Sequence, residues 1–316
     1  MMQQEQPRIA LEEKKAGCEE ELWLLGQPTL REYLDFVKDT VVGGASADPA
    51  ALADEWRSAN DYYHELEQRE VGIADKVECR DLDPALAPLA AKVAADPRYR
   101  LTFDLVPTSF GMVELDRLVV SQKQVTRNLV ENLERQLGPS PDLATLFHFC
   151  LPLGHPDAHV HIRRVGSRRF VFRSDSQDVR FHESVLLRPD QVRDYNSFGP
   201  IAGVVGLVVG FGSNFLNAIR VGKRLLLHDG YHRACALRKL GVTHAPCIIQ
   251  TIAHPDELDI VAKRRVAEDP EFYFHTARPP LLRDFFDPKI GKVLQVHKLV
   301  RMIELSYEVR DYLVPE

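Results

Sequence analysis

The chain has 316 residues, 45% of them hydrophobic, with 46 acidic against 40 basic side chains and a formal net charge of −6. That length and apolar content allow a sizeable core in one large domain or two modest ones. The acidic balance excludes a general positive field for holding nucleic acid or an anionic membrane. Five cysteines (Cys18, Cys79, Cys150, Cys235, Cys247) are widely spaced with no Cys-x-x-Cys pair, which argues against a disulfide framework or zinc ribbon and suits a reducing cytoplasm.

In chain order, residues 1–20 are charged, lack a signal peptide's apolar core and are expected to fray. Pro28 and Thr29 open a helix on which Leu30, Tyr33, Leu34, Val37 and Val41 share a face, and Gly43-Gly44 ends it. Asp48-Pro49 begins a second helix with Leu52, Trp56, Ala59, Tyr63 and Leu66 at helical spacing, a stripe read as core or helix-helix seam. An Ala-rich third helix over 85–95 leads to a strand-like stretch at 99–106 and a boundary at Pro107. Residues 1–107 therefore read as a mostly helical module.

The run Val113-Glu114-Leu115-Asp116-Arg117-Leu118-Val119-Val120-Ser121-Gln122-Lys123-Gln124-Val125 reads as a strand followed by a helix over 128–137. Residues 138–211 read as an insertion. Within it, His159 to Val165 and Arg168 to Arg173 form a hairpin across Gly166-Ser167. Alternation puts His159 and His161 on one face, where His155 and Asp157 would complete a metal set if the face were more than polar surface. Arg163, Arg164, Arg168, Arg169 and Arg173 make a basic cluster for phosphate, or for pairing with Asp175, Asp178 and Glu183. The apolar stretch 201–211 is too short and Gly-rich to cross a bilayer, no other run is long enough, and it reads as buried strand or backbone near a ligand.

The most pointed signal follows. Residues 214–221 and 224–227 are β-rich runs joined by Gly222-Lys223, a tight hairpin. Leu225-Leu226-Leu227-His228-Asp229-Gly230-Tyr231-His232-Arg233 is an apolar strand that stops at Asp-Gly and turns into a helix, which Leu240-Gly241 ends before a strand over 242–250. The unpaired amides at such a helix N-terminus favour an anion, Gly230 admits close approach, and His232 and Arg233 would add donors for phosphate oxygens from a side chain expected to point outward. The plainer alternative is that Asp229 caps the helix and Arg233 is a surface charge.

Strand, tight turn, strand, Asp-Gly, His-Arg helix, Leu-Gly, strand: this order, with the segment at 113–137, resembles the ParB/sulfiredoxin superfamily over roughly residues 111–253. The resemblance implies a mixed α+β fold, with a nucleotide-binding core at 108–255 interrupted at about 138–211, the helical module at 1–107 and a helical extension at 256–316. Tyr231 stands where sulfiredoxins carry their cysteine, so sulfinic-acid repair is disfavoured. Cys235 is read as core, and residues 256–316 show no helix-turn-helix for DNA. The Asp-Gly-Tyr-His-Arg form is most similar to the free-serine kinases, although the Glu that serves them as general base would fall at Lys123 or Gln124 and is missing, which disfavours serine as the acceptor.

On that resemblance Asp229 and His232 are the expected catalytic residues. Gly230, Tyr231, His232 and Arg233 would bind ATP or another nucleoside triphosphate, and Asp229 would ligate Mg²⁺. The expected activity is phosphoryl transfer to a small-molecule acceptor. Two alternatives stay open, a non-catalytic nucleotide-sensing or protein-interaction module and a DNA-associated ParB-like protein. At the C-terminal end, 255–266 and 290–312 read as helices. The aromatic stretch from Phe272 to Phe286 reads as packing for the last helix, as a lid or as a protein-docking segment.

Overall fold

The computed structural model describes residues 17–154, 159–193, 195 and 197–315. It is mixed α+β. The elements run β1 (Cys18–Leu24), α1 (Leu30–Thr40), α2 (Pro49–Arg69), β2 (Cys79–Asp81), α3 (Ala87–Ala95), α4 (Pro97–Phe103), β3 (Thr108–Glu114), β4 (Val119–Val120), β5 (Gln124–Thr126), α5 (Arg127–Leu137) and α6 (Leu143–Cys150). Next come β6 (Val160–Arg164), β7 (Arg169–Ser174), β8 (Val179–Leu187) and β9 (Val204–Phe211). Then come β10 (Asn217–Val221), β11 (Arg224–Asp229), α7 (Tyr231–Lys239), β12 (His244–Ile252), α8 (Pro255–Val261), α9 (Arg264–Glu268), α10 (Pro270–Phe274), β13 (Gly291–His297) and β14 (Arg301–Ser306).

A six-stranded sheet in the order β2-β3-β12-β10-β11-β4 forms the centre. β10 is antiparallel to β11 and parallel to β12, while β11 is parallel to β4. Gly222 takes φ 57, the positive value a two-residue hairpin loop needs at its first position. Both faces of β11 are covered. Leu225 and Leu227 pack with Ala234, Cys235 and Leu237 of α7, and Leu226 packs on the other face with Val119, Ile219, Tyr273 and Phe274. A strand covered on both sides has no reason to alternate, which explains the unbroken apolar run, and each such leucine contributes about 1.5–3 kcal/mol of burial.

Capping chemistry places the helix starts. Thr29 accepts the Glu32 amide at 3.2 Å while Glu32 accepts the Thr29 amide at 2.9 Å, and Asp48 accepts the Ala50 amide ahead of α2. Asp96 accepts the Arg98 amide at 2.8 Å ahead of Pro97, so the stretch at 99–106, expected as a strand, begins as helix α4. Here the cap and proline outweigh the β-propensity of Tyr99 and Phe103. The expected helix over 255–266 divides into α8 and α9. The strand expected over 113–125 is three pieces, the end of β3, then β4 and β5, with β5 in a different sheet.

The chain ends correct the reading most. β1 pairs with β13 from Cys18↔His297 to Leu24↔Gly291, and with β5 on its other side. A strand, β1, thus joins the helices of the module expected over 1–107, and the last helix expected over 290–312 is replaced by two strands, β13 and β14. Burial there recurs every second residue, at Leu294 and Val296, with Val293 exposed. β14 joins β7 and β6 in a separate sheet, and β8 pairs with β9. β9 replaces the buried strand expected at 201–211 and is half-exposed, because it belongs to this outlying hairpin.

Much of the aromatic stretch is core, since Tyr273, Phe274, Leu281, Leu282 and Phe285 are buried. Cys235, with Cys150 and Cys247, is buried as well. Among the described residues no helix is long and apolar enough to cross a membrane.

Candidate functional site

The 229–231 turn sits where β11 delivers the chain to α7. Gly230 takes φ 90, and a Cβ there would lie 3.0 Å from Leu216 Cα, so conformation and space both require glycine. Gly230 is also the N-cap residue of α7, which no side chain caps. Asp229 is therefore not the cap; its Oδ1 accepts the Gly230 amide at 2.8 Å. The first bond of α7 runs from the Ala234 amide to the Gly230 carbonyl, leaving the amides before it without intrahelical partners.

Strand pairing brings two further residues to the turn. Asn217 is partnered with Asp229 but Ala218 with Leu227, so His228 is the extra residue of a bulge. Asn217 is buried, its Nδ2 donates to the Phe215 carbonyl at 2.9 Å, and its Oδ1 has no donor. His228 Nδ1 is likewise buried without a partner. Burial first, and then the charges of Lys263 and Arg180, push the His228 pKa down to about 4 against the opposing pull of Asp229.

Three of the expected ligand residues are engaged elsewhere. Tyr231 is corrected from a cofactor-binding residue to a core residue. Its ring is buried, its hydroxyl donates to the Leu227 carbonyl at 2.6 Å, and it accepts the Ser121 amide at 3.0 Å. His232 Nε2 accepts the Thr126 amide at 3.1 Å, which puts the ring proton on Nδ1. Burial lowers its pKa to about 4, so His232 is a neutral donor and not the charge-neutralising group expected. Arg233 does not point outward. Its Nη1 donates to the Asn214 carbonyl at 2.6 Å and its Nη2 to Asn214 Oδ1 at 2.5 Å.

Beside Tyr231 lies a cavity of about 340 Å³ lined by Gln27, Glu32, Ser121, Lys123, Arg265 and Phe272, among others. Glu32 is its charged centre, 2.6 Å from Lys123 Nζ and 3.1 Å from Arg265 Nη2. Burial raises the Glu32 pKa, but hydrogen bonds from Lys123 and Thr29 outweigh it and hold the carboxyl down at about 2. On the other side of β5, Glu21 Oε1 accepts the Thr126 hydroxyl at 2.9 Å and Oε2 has no donor. Burial pushes Glu21 up to about 7.

No local motif marks Asn217, Glu21 or the cavity residues. Strand pairing brings Asn217 to the turn, while Glu21 and the cavity stand one contact away, through Thr126 to His232 and through Ser121 to Tyr231. Lys123, where the resemblance would place the missing base, is a cation bound to Glu32.

The histidines and arginines over 159–180 do less than their composition implies. His161 lies exposed on β6 beside exposed His159, and His155 and Asp157 are outside the described residues. Among the described residues no three His, Cys, Asp or Glu side chains come together as a metal set. Arg164 donates to the Gly166 and Ser167 carbonyls, Arg169 pairs with Glu304, and Asp178 pairs with Arg180.

Comparison of the chain with protein-family models, with curated proteins and with solved structures gives no match.

Proposed function

We propose that this chain binds a nucleoside triphosphate with its phosphates at the N-terminus of α7 and transfers the terminal phosphoryl group to a small-molecule hydroxyl. The observation that carries the reading is the Gly230 turn, where no side chain caps α7 and its first amides lack intrahelical partners, with the Asp229 carboxylate on the residue before. The ParB/sulfiredoxin-like order of elements supports the same class of ligand. In the transfer, the bond from the terminal phosphorus to its bridging oxygen breaks and a bond to the acceptor oxygen forms. The nucleoside diphosphate leaves, and Asp229 takes the acceptor proton.

Asn217 is partnered with Asp229 across neighbouring strands, and its unpartnered Oδ1 would be the protein oxygen available to a Mg²⁺ ion arriving with the nucleotide, which would neutralise phosphate charge there. A cytoplasmic setting, where nucleotide is plentiful and thiols stay reduced, fits the five free cysteines.

A non-catalytic nucleotide-sensing module is the second reading, favoured by the commitment of Arg233 to Asn214 and of His232 to Thr126. Thermal melting with ATP, CTP and GTP plus Mg²⁺ tests binding, which should raise the melting temperature. Phosphoryl transfer is then followed in Asp229→Asn, expected to keep its fold and lose turnover by about a hundredfold. No shift with any nucleotide overturns both readings, and undiminished turnover in folded Asp229→Asn removes the catalytic role assigned to that carboxylate.

A further inference from the structure

We infer that the cavity between α1, the 121–123 loop and α9–α10 is a binding site for a small uncharged molecule carrying several hydroxyl groups, a polyol or a monosaccharide. The site stands apart from the turn at Gly230 and does not depend on nucleotide binding there.

Segments far apart in the chain build this cavity and fix its walls. The Tyr231 hydroxyl accepts the Ser121 amide at 3.0 Å, Leu24 donates its amide to the Lys123 carbonyl at 2.8 Å, and Val120 donates to the Pro280 carbonyl at 2.9 Å. The space of about 340 Å³ suits a ligand of one sugar ring, with Leu24, Val120, Phe272 and Pro280 as apolar walls for its C–H groups. One polar side chain there lacks a partner. Tyr273 lines the cavity and is 5% exposed, yet its hydroxyl makes no hydrogen bond among the described residues, as expected where a bound group completes the bonding. Burial above all pushes its pKa up to about 12, so the hydroxyl stays a donor.

The charges around the cavity are already balanced. Lys123 and Arg265 both bind Glu32, at 2.6 and 3.1 Å, Glu268 pairs with Arg264 at 2.7 Å, and Asp269 accepts the Phe272 amide at the start of α10. The carboxylates of Glu32, Glu268 and Asp269 thus stand against the cations Lys123, Arg264 and Arg265, and a charge brought by the ligand would lose its water without gaining a counter-ion. Hydrogen-bonding capacity of both kinds is left over. Lys123 uses one of its three donors and Arg265 one of its five, while Glu268 and Asp269 each keep an oxygen without a donor among the described residues. Tyr231 gives its proton to the Leu227 carbonyl, so Ser121 Oγ, 3.1 Å from that hydroxyl, donates to it and keeps lone pairs that can accept. Hydroxyl groups donate and accept together, which is what such a wall requires.

Saturation-transfer NMR titration of the full chain with D-ribose, D-glucose and myo-inositol tests this, with gluconate, glucosamine and serine as charged counterparts. At least one of the three neutral compounds should bind, and more tightly than any charged one. Tyr273→Phe deletes only the unpartnered hydroxyl, so it should melt as the wild type does and weaken that compound about two- to tenfold, the scale of one hydrogen bond. Arg265→Ala leaves Glu32 paired with Lys123 and should weaken it by a similar factor. Wild-type chain that binds none of the three overturns the inference, and a charged counterpart bound more tightly overturns the assignment of an uncharged ligand. A compound bound as tightly by folded Tyr273→Phe as by wild type places its site elsewhere and overturns the inference too; if Tyr273→Phe does not fold, Arg265→Ala decides in its place.

Discussion

Arg233 holds Asn214 by both ends, donating to its backbone carbonyl at 2.6 Å and to its side-chain oxygen at 2.5 Å, so one side chain of α7 fixes the loop entering β10. Burial lowers the Arg233 pKa only from a value far above neutrality, so the charge persists in its half-buried place.

Arg233→Ala is therefore expected to destabilise the fold by about 1.5–3 kcal/mol, since two charge-assisted bonds go and the Asn214 oxygens lose their donors. Chemical denaturation reads this. Wild-type stability in the variant would mean that the guanidinium is dispensable to the loop.

His232 gives a pH dependence in the acid range. Its folded pKa of about 4 lies below the ordinary 6.5, so between those values the unfolded chain binds more protons than the folded one. The resulting stability is present above about pH 6.5 and is lost as pH falls towards 4, by at most about 3 kcal/mol. His228 adds a second loss of the same sign. Urea denaturation from pH 7 to pH 4 should show a shallower fall in His232→Gln than in wild type, and parallel curves would contradict the burial argument.

Glu21 acts in the opposite sense. Its folded pKa of about 7 exceeds the ordinary 4.5, so the folded state holds the proton longer, and stability falls as pH rises from about 4.5 through 7. Glu21→Gln keeps an oxygen for the Thr126 hydroxyl and removes the charge. The variant should match wild type near pH 5 and exceed it near pH 8 by up to about 3 kcal/mol. A variant less stable than wild type at pH 8 would show that the ionised carboxylate is well accommodated.

Leu226 reports on the second face of the central sheet. Leu226→Ala is expected to cost about 2–5 kcal/mol, because the cavity opens among Val119, Ile219, Tyr273 and Phe274, which strands and helices hold apart. A loss below about 1 kcal/mol would mean that this face closes over the gap.

By itself the sequence determined the features whose causes are local. The helix starts near Thr29 and at Asp48-Pro49, the Gly222 hairpin, the strand begun at 224–227 and the Gly230 turn into α7 follow from residues within a few positions of one another, because caps, tight turns and covered strands are set by neighbouring backbone. The site was legible only to that depth: Gly230 and Asp229 stand at the turn, but their neighbours did not announce themselves. Tertiary structure decided the rest. The valine-rich 291–297 segment satisfies a helical spacing as well as a strand's alternation, and only the edge offered by β1, at the opposite end of the chain, makes it a strand. The same holds for Tyr231, His232 and Arg233. A tyrosine, a histidine and an arginine after Asp-Gly look like ligands until Ser121, Thr126 and Asn214 are folded against them. Burial and hydrogen bonding, which set side-chain charge and direction, are properties of contacts between distant segments.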